Sequence, residues 1–177
     1  MKKVTSNNYH LWIIIHQIHD IISKWEDAVL IESSITSQQF LLLWIMKYLE
    51  SISEKPIILT DLIPLMYRNV NSISAMIYRM EKSNLIERKR DLPDKRASRL
   101  VITEKGENIC KSAIKLQRKM INDLFNDISE GDQITLLSIL RSMKKKVNKI
   151  LNLTELDTDP EIDDPQKTAF FLKVLNK

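Results

Sequence analysis

Residues 68–105 hold ten arginines and lysines against five acids, Glu81, Glu87, Asp91, Asp94 and Glu104, the densest positive stretch of a 177-residue chain. Guanidinium and ammonium groups at that density suit the neutralisation of phosphate oxygens along a nucleic-acid backbone. Two other groupings could do chemistry. His16 and His19 stand three residues apart beside Asp20, with His10 nearly two turns earlier. That spacing can ligate a metal, but it more often marks histidines partly buried at a helix interface, and no metal is assigned. Cys110 is the one cysteine, which excludes an internal disulfide and a cysteine-based zinc cage. It shares a strip with Ile109 and Ala113, so a buried apolar thiol is expected rather than an oxidant sensor. There is no glycine-rich phosphate loop, no recognisable Ser/His/Asp set and no paired catalytic carboxylates outside a linker-like segment. Neither an enzyme nor a cofactor is expected.

The bases must be held by mostly helical elements. Only two glycines occur, Gly106 and Gly131, too few for an all-β fold rich in tight turns. From residue 7 to about 31, Leu11, Ile14, Ile15, Ile18, Ile21, Ile22, Trp25 and Val29 recur at helical spacing, and Trp12 and Ile13 widen the apolar surface. A helix apolar on more than one face needs more than one neighbour, often a second subunit. A second helix is predicted over 37–53, with Thr36 as its cap and Leu41, Trp44, Ile45, Tyr48 and Leu49 inward. A short β-prone link (55–59) leads to a short helix capped by Thr60, whose Pro64 sits where few amide bonds are lost. The next helix, capped by Asn69 or Asn71, runs to about Lys82 with Ile73, Met76, Ile77 and Met80 on its apolar side. Asn84 suits a left-handed cap. Two strands are expected over 85–90 and 98–102, joined by turn residues Asp91, Leu92, Pro93, Asp94 and Lys95. Thr103 starts a long helix to about Asp127, and Ser129 with Glu130 starts another to Ile150.

Charge divides the chain unevenly. Residues 152–166 carry six acids and no base, and residues 167–177 carry three bases and no acid, so of the formal +4 the remainder, 1–151, carries +7. A basic body with an acidic, proline-containing linker and a short apolar end (Phe170, Phe171, Val174, Leu175) is expected. The apolar run at 11–15 is too short for a signal peptide core, and nothing approaches the roughly 20 apolar residues of a membrane span. A cytoplasmic protein with no membrane partner is expected.

Short helix, turn, helix and β-hairpin is the order of a winged helix-turn-helix. Small polar residues at the start of its second helix can approach base edges in a major groove about 12 Å wide. The hairpin can place bases on the flanking backbone or in the minor groove. The run LIERKRDLPDKRASRLVITEKG (85–106) resembles the wing of the MarR family of bacterial and archaeal regulators, with Arg88, Asp94, Arg96, Leu100, Thr103 and Gly106 at matching positions. The order and length of the helices extend the resemblance over about 7–151. Asn84 replaces the family's usual glycine, and the 152–177 tail lies beyond the family's usual end.

The resemblance implies a mainly α fold with a small β-hairpin wing, framed by long N- and C-terminal dimerisation helices. The expected division is 1–35, N-terminal dimerisation helix; 36–103, winged lobe; 104–151, C-terminal dimerisation helices; and 152–177, acidic linker and tail. It implies a homodimer that binds double-stranded DNA at a pseudo-palindromic operator and usually represses transcription. Asn69, Asn71, Ser72, Ser74 and Ala75 would face the major groove and Arg79 the phosphates. Arg88, Arg90, Lys95, Arg96 and Arg99 would serve the wing side, with Asp94 and Arg96 forming the tip and Lys95 or Arg96 entering the minor groove. An effector pocket for a small aromatic or phenolic molecule would involve Trp12, His16, Phe40, Trp44 and Tyr48. The alternative is a winged-helix protein-interaction module working through its acidic tail.

Overall fold

A computed structural model describes residues 5–94 and 96–153. Lys95 and 154–177, and with them one wing expectation and nearly all of the tail, lie outside the described residues. Helix α1 (Ser6–Leu30) begins where the Thr5 hydroxyl accepts the Asn8 amide at 3.2 Å. Helix α2 (Ser37–Ile52) opens with a reciprocal cap, in which Thr36 N–H donates to Gln39 Oε1 and Gln39 N–H to Thr36 Oγ1. Then follow α3 (Leu59–Met66), α4 (Val70–Lys82), β1 (Ile86–Lys89), β2 (Arg99–Ile102), α5 (Glu104–Phe125) and α6 (Glu130–Ile150). The mainly α expectation with a two-stranded wing holds. The strands are shorter than expected because residues 90–98 leave the ladder, which pairs Ile86 with Ile102 and Lys89 with Arg99 in antiparallel register.

The core joins α2, α3, α4 and the hairpin, with Leu42, Leu43, Met46, Leu62, Ile73, Ile77, Met80 and Ile86 fully enclosed. The predicted inward set of α2 is too narrow. Phe40, Leu42, Leu43 and Met46 are buried with Ile45 and Tyr48, while Leu41, Trp44 and Leu49 are only half-buried. Neighbours on several sides of α2 broaden its apolar stripe. The β-prone link runs beside the wing, since Leu100 N–H donates to Ile57 O at 2.8 Å. Thr60 does not cap α3. The cap position is Ile58, two residues earlier, and Asp61 Oδ2 accepts the Ile58 amide at 2.9 Å.

The two ends of the chain behave differently. In α1 only Leu30 is buried, and Leu11, Trp12, Ile14, Ile18 and Ile21 are exposed. No residue of α6 is buried, although Ile134, Leu137, Leu140, Val147 and Ile150 lie along it. Among the described residues no single helix is long and apolar enough to cross a membrane.

Gly106 explains the end of the wing motif. A Cβ there would stand 2.1 Å from the Leu85 carbonyl oxygen and 2.8 Å from Ile102 Cγ2. The first turn of α5 therefore lies directly on the root of the hairpin. Thr103 fixes the junction three ways: its hydroxyl donates to Asn84 O and accepts from Gly106 N–H, and its amide donates to Leu85 O. Asn84 holds the left-handed conformation (φ 56°) that this corner needs.

Candidate nucleic-acid interface

Helix α4 is entered through a turn in which Tyr67 takes a left-handed conformation (φ 50°). Asn69 Oδ1 then accepts the Ser72 amide at 2.8 Å, so of the two candidate caps Asn69 serves. Such a cap contributes about 1 kcal/mol to the helix. Ile73, Met76, Ile77 and Met80 anchor α4 in the core. That orientation exposes Asn69, Asn71, Ser72, Ala75 and Arg79, while Ser74 is half-buried. The exposed start of the helix is polar and short-chained, so a flat edge can approach it closely.

Beside this face lies a cleft of about 490 Å³ lined by Asp27, Thr36, Ser37, Gln38, Arg68, Ser72, Ala75, Met76 and Arg79. Asp27 Oδ1 accepts the Ser37 amide at 3.1 Å. Hydrogen bonds from Ser37, side chain first and then backbone, lower the Asp27 pKa, which ties the end of α1 to the start of α2 as a charged carboxylate. Arg68, Thr36, Ser37 and Gln38 were absent from the predicted contact set. Arg68 is a base beside the cap and could have been included. The α2 residues reach α4 only through tertiary packing and leave no local signal.

The hairpin carries its charges unequally. Arg90 and Arg96 are exposed. Arg88 Nε is 3.4 Å from Glu81 Oε2, an ion pair between the end of α4 and β1. Arg99 donates through two nitrogens to the Asp91 carboxylate. This bond lowers the Asp91 pKa and raises that of Arg99. At the tip Asp94 and Arg96 meet through the main chain. Asp94 Oδ1 accepts the main-chain N–H of Arg96 at 2.9 Å, an Asx turn that shapes the loop without holding the guanidinium. The pair that spans the wing is Asp91–Arg99, so Arg99 braces the hairpin and Arg96 is the more available cation.

The predicted effector residues come from two helices, Trp12 and His16 from α1 and Phe40, Trp44 and Tyr48 from α2. The Trp12 ring packs at a tilt against His16, ring centroids 4.2 Å apart, on the exposed side of α1. Phe40 and Tyr48 are in the interior and Trp44 is half-buried. None of the five lines the cleft beside α4, a groove between α3 and the wing, or a cleft on the last turns of α6. The histidines are exposed, not partly buried; His16 Nδ1 lies 2.9 Å from Trp12 O and His19 Nδ1 3.2 Å from Asp20 Oδ1. Cys110 is buried as expected, and burial, with the nearby Glu107 charge second, pushes its thiol up to about 11.

Residues 35–98, covering the second helix through the wing tip, match the model of the MarR family. That match takes in the winged lobe and about a third of the chain. Among curated proteins, the chain is 27% identical over 85 residues to the uncharacterized HTH-type transcriptional regulator YsmB of Bacillus subtilis (strain 168). That match covers 46% of the chain and 58% of the relative's length. Solved structures of transcriptional regulators share the fold. An organohalide-sensing regulator in its 2,4-dichlorophenol-bound form superposes with TM-score 0.72 at 22% identity, over 88% of each chain. A mutant MarR of E. coli complexed with operator DNA superposes with TM-score 0.68 at 19% identity, covering 80% of this chain and 99% of that one.

Proposed function

We propose that this chain is a sequence-specific DNA-binding transcriptional regulator that acts as a homodimer on a pseudo-palindromic operator. The observation that carries the reading is the polar, open start of α4, capped by Asn69 and flanked by the exposed guanidinium groups of Arg68, Arg79, Arg90 and Arg96. In this reading Asn69, Asn71, Ser72, Ser74 and Ala75 meet base edges in the major groove. Arg79 and Arg68 meet phosphates, and Arg90 with Arg96 supplies the wing contact. Arg88 and Arg99 act by holding the hairpin in place.

Exposed apolar rows on α1 and α6 support dimerisation. Two rows of that extent, rimmed by polar residues, are unusual on the surface of a monomer. A two-fold dimer places two winged lobes on one side of the duplex, with half-sites about one helical turn, roughly 10 bp, apart. Repression follows if the site overlaps a promoter. The dichlorophenol-bound relative supports a small aromatic or phenolic effector, for which Trp12, His16 and Trp44 are the accessible part of the predicted set.

The test is selection of bound sequences from random duplex DNA, followed by titration of the winning site at several salt concentrations. The expected result is a two-fold-symmetric consensus, with log affinity falling linearly against log salt. A chain that enriches no sequence, and whose weak binding is the same for every duplex, refutes the reading.

A further inference from the structure

One side chain of the last helix stands beside the turn that enters α4. Lys144 Nζ of α6 lies 5.5 Å from the centre of the Tyr67 ring, and Tyr67 directly precedes Arg68 and the Asn69 cap of α4. The described residues end at Leu153, nine positions after Lys144. At about 1.5 Å per helical residue, the chain emerges on the order of 15 Å from that turn. The next residues include Glu155, Asp157, Asp159, Glu161, Asp163 and Asp164 without a single base. Ten residues of extended chain span roughly 33 Å, whereas the 13-residue α4 is about 20 Å long. Fully extended, the acidic run is therefore longer than α4.

We propose that the acidic run 155–164 of this same chain docks on the basic face formed by Arg68, Arg79, Arg90 and Arg96, the surface that DNA would use. Carboxylates at alternate positions of an extended chain offer guanidinium groups the same kind of partner as phosphate oxygens. Tethering raises the local concentration of the run to the order of millimolar, so weak individual pairs suffice. DNA, with its denser charge, displaces it. The device sets a threshold: duplexes that offer only backbone charge compete poorly with the run, and a site that adds base contacts wins. Lysines 145, 146 and 149, which line the cleft at the end of α6, are competing bases. They flank the exit, and short-range pairing with them would leave the reading face open.

Docking of the run is tested without DNA. Full-length chain carrying Thr158→Cys is labelled with a nitroxide; the native Cys110 is buried, with a raised pKa, and is spared. Broadening of amide resonances at the start of α4 and in the wing at low salt, fading at high salt, is the expected result. Broadening confined to the last two turns of α6, or none, overturns the proposal. The consequence for regulation rests on the DNA-binding reading and is measured separately, with all six acids changed to Asn or Gln in the full chain. Neutralisation raises the net charge by six and would strengthen binding of any duplex, so the discriminating quantity is selectivity. The variant should bind a non-operator duplex about tenfold tighter near 50 mM salt while gaining less on the operator, and the difference should vanish at high salt. Equal gains on both duplexes overturn the threshold. If neither chain binds DNA, the DNA-binding reading fails, and the spin-label result still decides where the run lies.

Discussion

Replacing Gly106 with alanine tests the junction between wing and body. Two effects oppose each other. In a helix interior, alanine is favoured over glycine by about 1 kcal/mol, so on propensity alone the variant gains stability. Sterically, the added methyl meets the Leu85 carbonyl oxygen at 2.1 Å and Ile102 Cγ2 at 2.8 Å. The first of these is main chain, and it already accepts the Thr103 amide at 3.1 Å. Relief therefore requires the hairpin root and the first turn of α5 to separate by roughly 1 Å, which loosens that bond and the packing of Leu85, Ile86 and Ile102. Overpacking of this kind costs about 3 kcal/mol, at the upper end of its usual range. The net expectation is a loss of about 2 kcal/mol, which lowers the melting temperature by roughly 4–8 °C for a chain of this length. Urea and thermal unfolding by circular dichroism, run at equal protomer concentration so that association does not intrude, supply the measurement. Stability equal to or above that of the native chain would show that α5 does not press on the hairpin root and that Gly106 is there for another reason.

Other predictions follow from the same geometry. Arg96→Ala should weaken operator binding by at least about 1 kcal/mol and reduce the salt slope by about one, with little change in stability; unchanged affinity at fixed salt removes Arg96 from the contact set. Arg99→Ala should disturb the shape of the wing, so Asp91→Asn, which alters the charge in the opposite sense, should shift the same wing amide resonances in the free protein; a wing left unchanged by Asp91→Asn refutes the brace. Lowering the pH should shift those resonances too, because a carboxyl whose pKa falls on folding contributes stability above its unfolded pKa and loses it as the pH falls through the folded value. Cys110 should stay unreactive toward a thiol reagent at pH 8 in the folded chain and react on unfolding, since its thiol is pushed up to about 11; rapid modification of the native protein contradicts that environment. Leu140→Glu on the exposed row of α6 should yield monomers by sedimentation without unfolding the winged lobe, and an unchanged sedimentation coefficient would exclude that row from the interface.

Local rules located most of the elements. Thr36, Asn69, Thr103 and Ser129 each announced a helix start, because a short side-chain oxygen ahead of an apolar-periodic run satisfies an amide that the helix cannot. The same rule failed at Thr60, where Asp61 reaches back to Ile58 and moves the start upstream. Periodicity identified the buried side of α4, which packs against one surface, and misjudged α2, which has neighbours on several sides. At the wing, the sequence showed that bases cluster but not which of them are committed to carboxylates.

By itself the sequence determined the order of elements, the turn residues between them, the polar start of α4 and the clustering of positive charge beside it. These depend on neighbours within a few positions, where capping, periodicity and turn chemistry act. The tertiary structure alone decided the rest. It brought Thr36, Ser37 and Gln38 against Arg68 and Arg79, paired Arg99 with Asp91 across the wing, and pressed Gly106 onto the Leu85 carbonyl. The physical reason is range. A cap or a turn is closed by residues three or four positions apart, whereas an ion pair or a packing contact depends on where the core has placed two distant segments, and a list of residue types does not encode that placement locally.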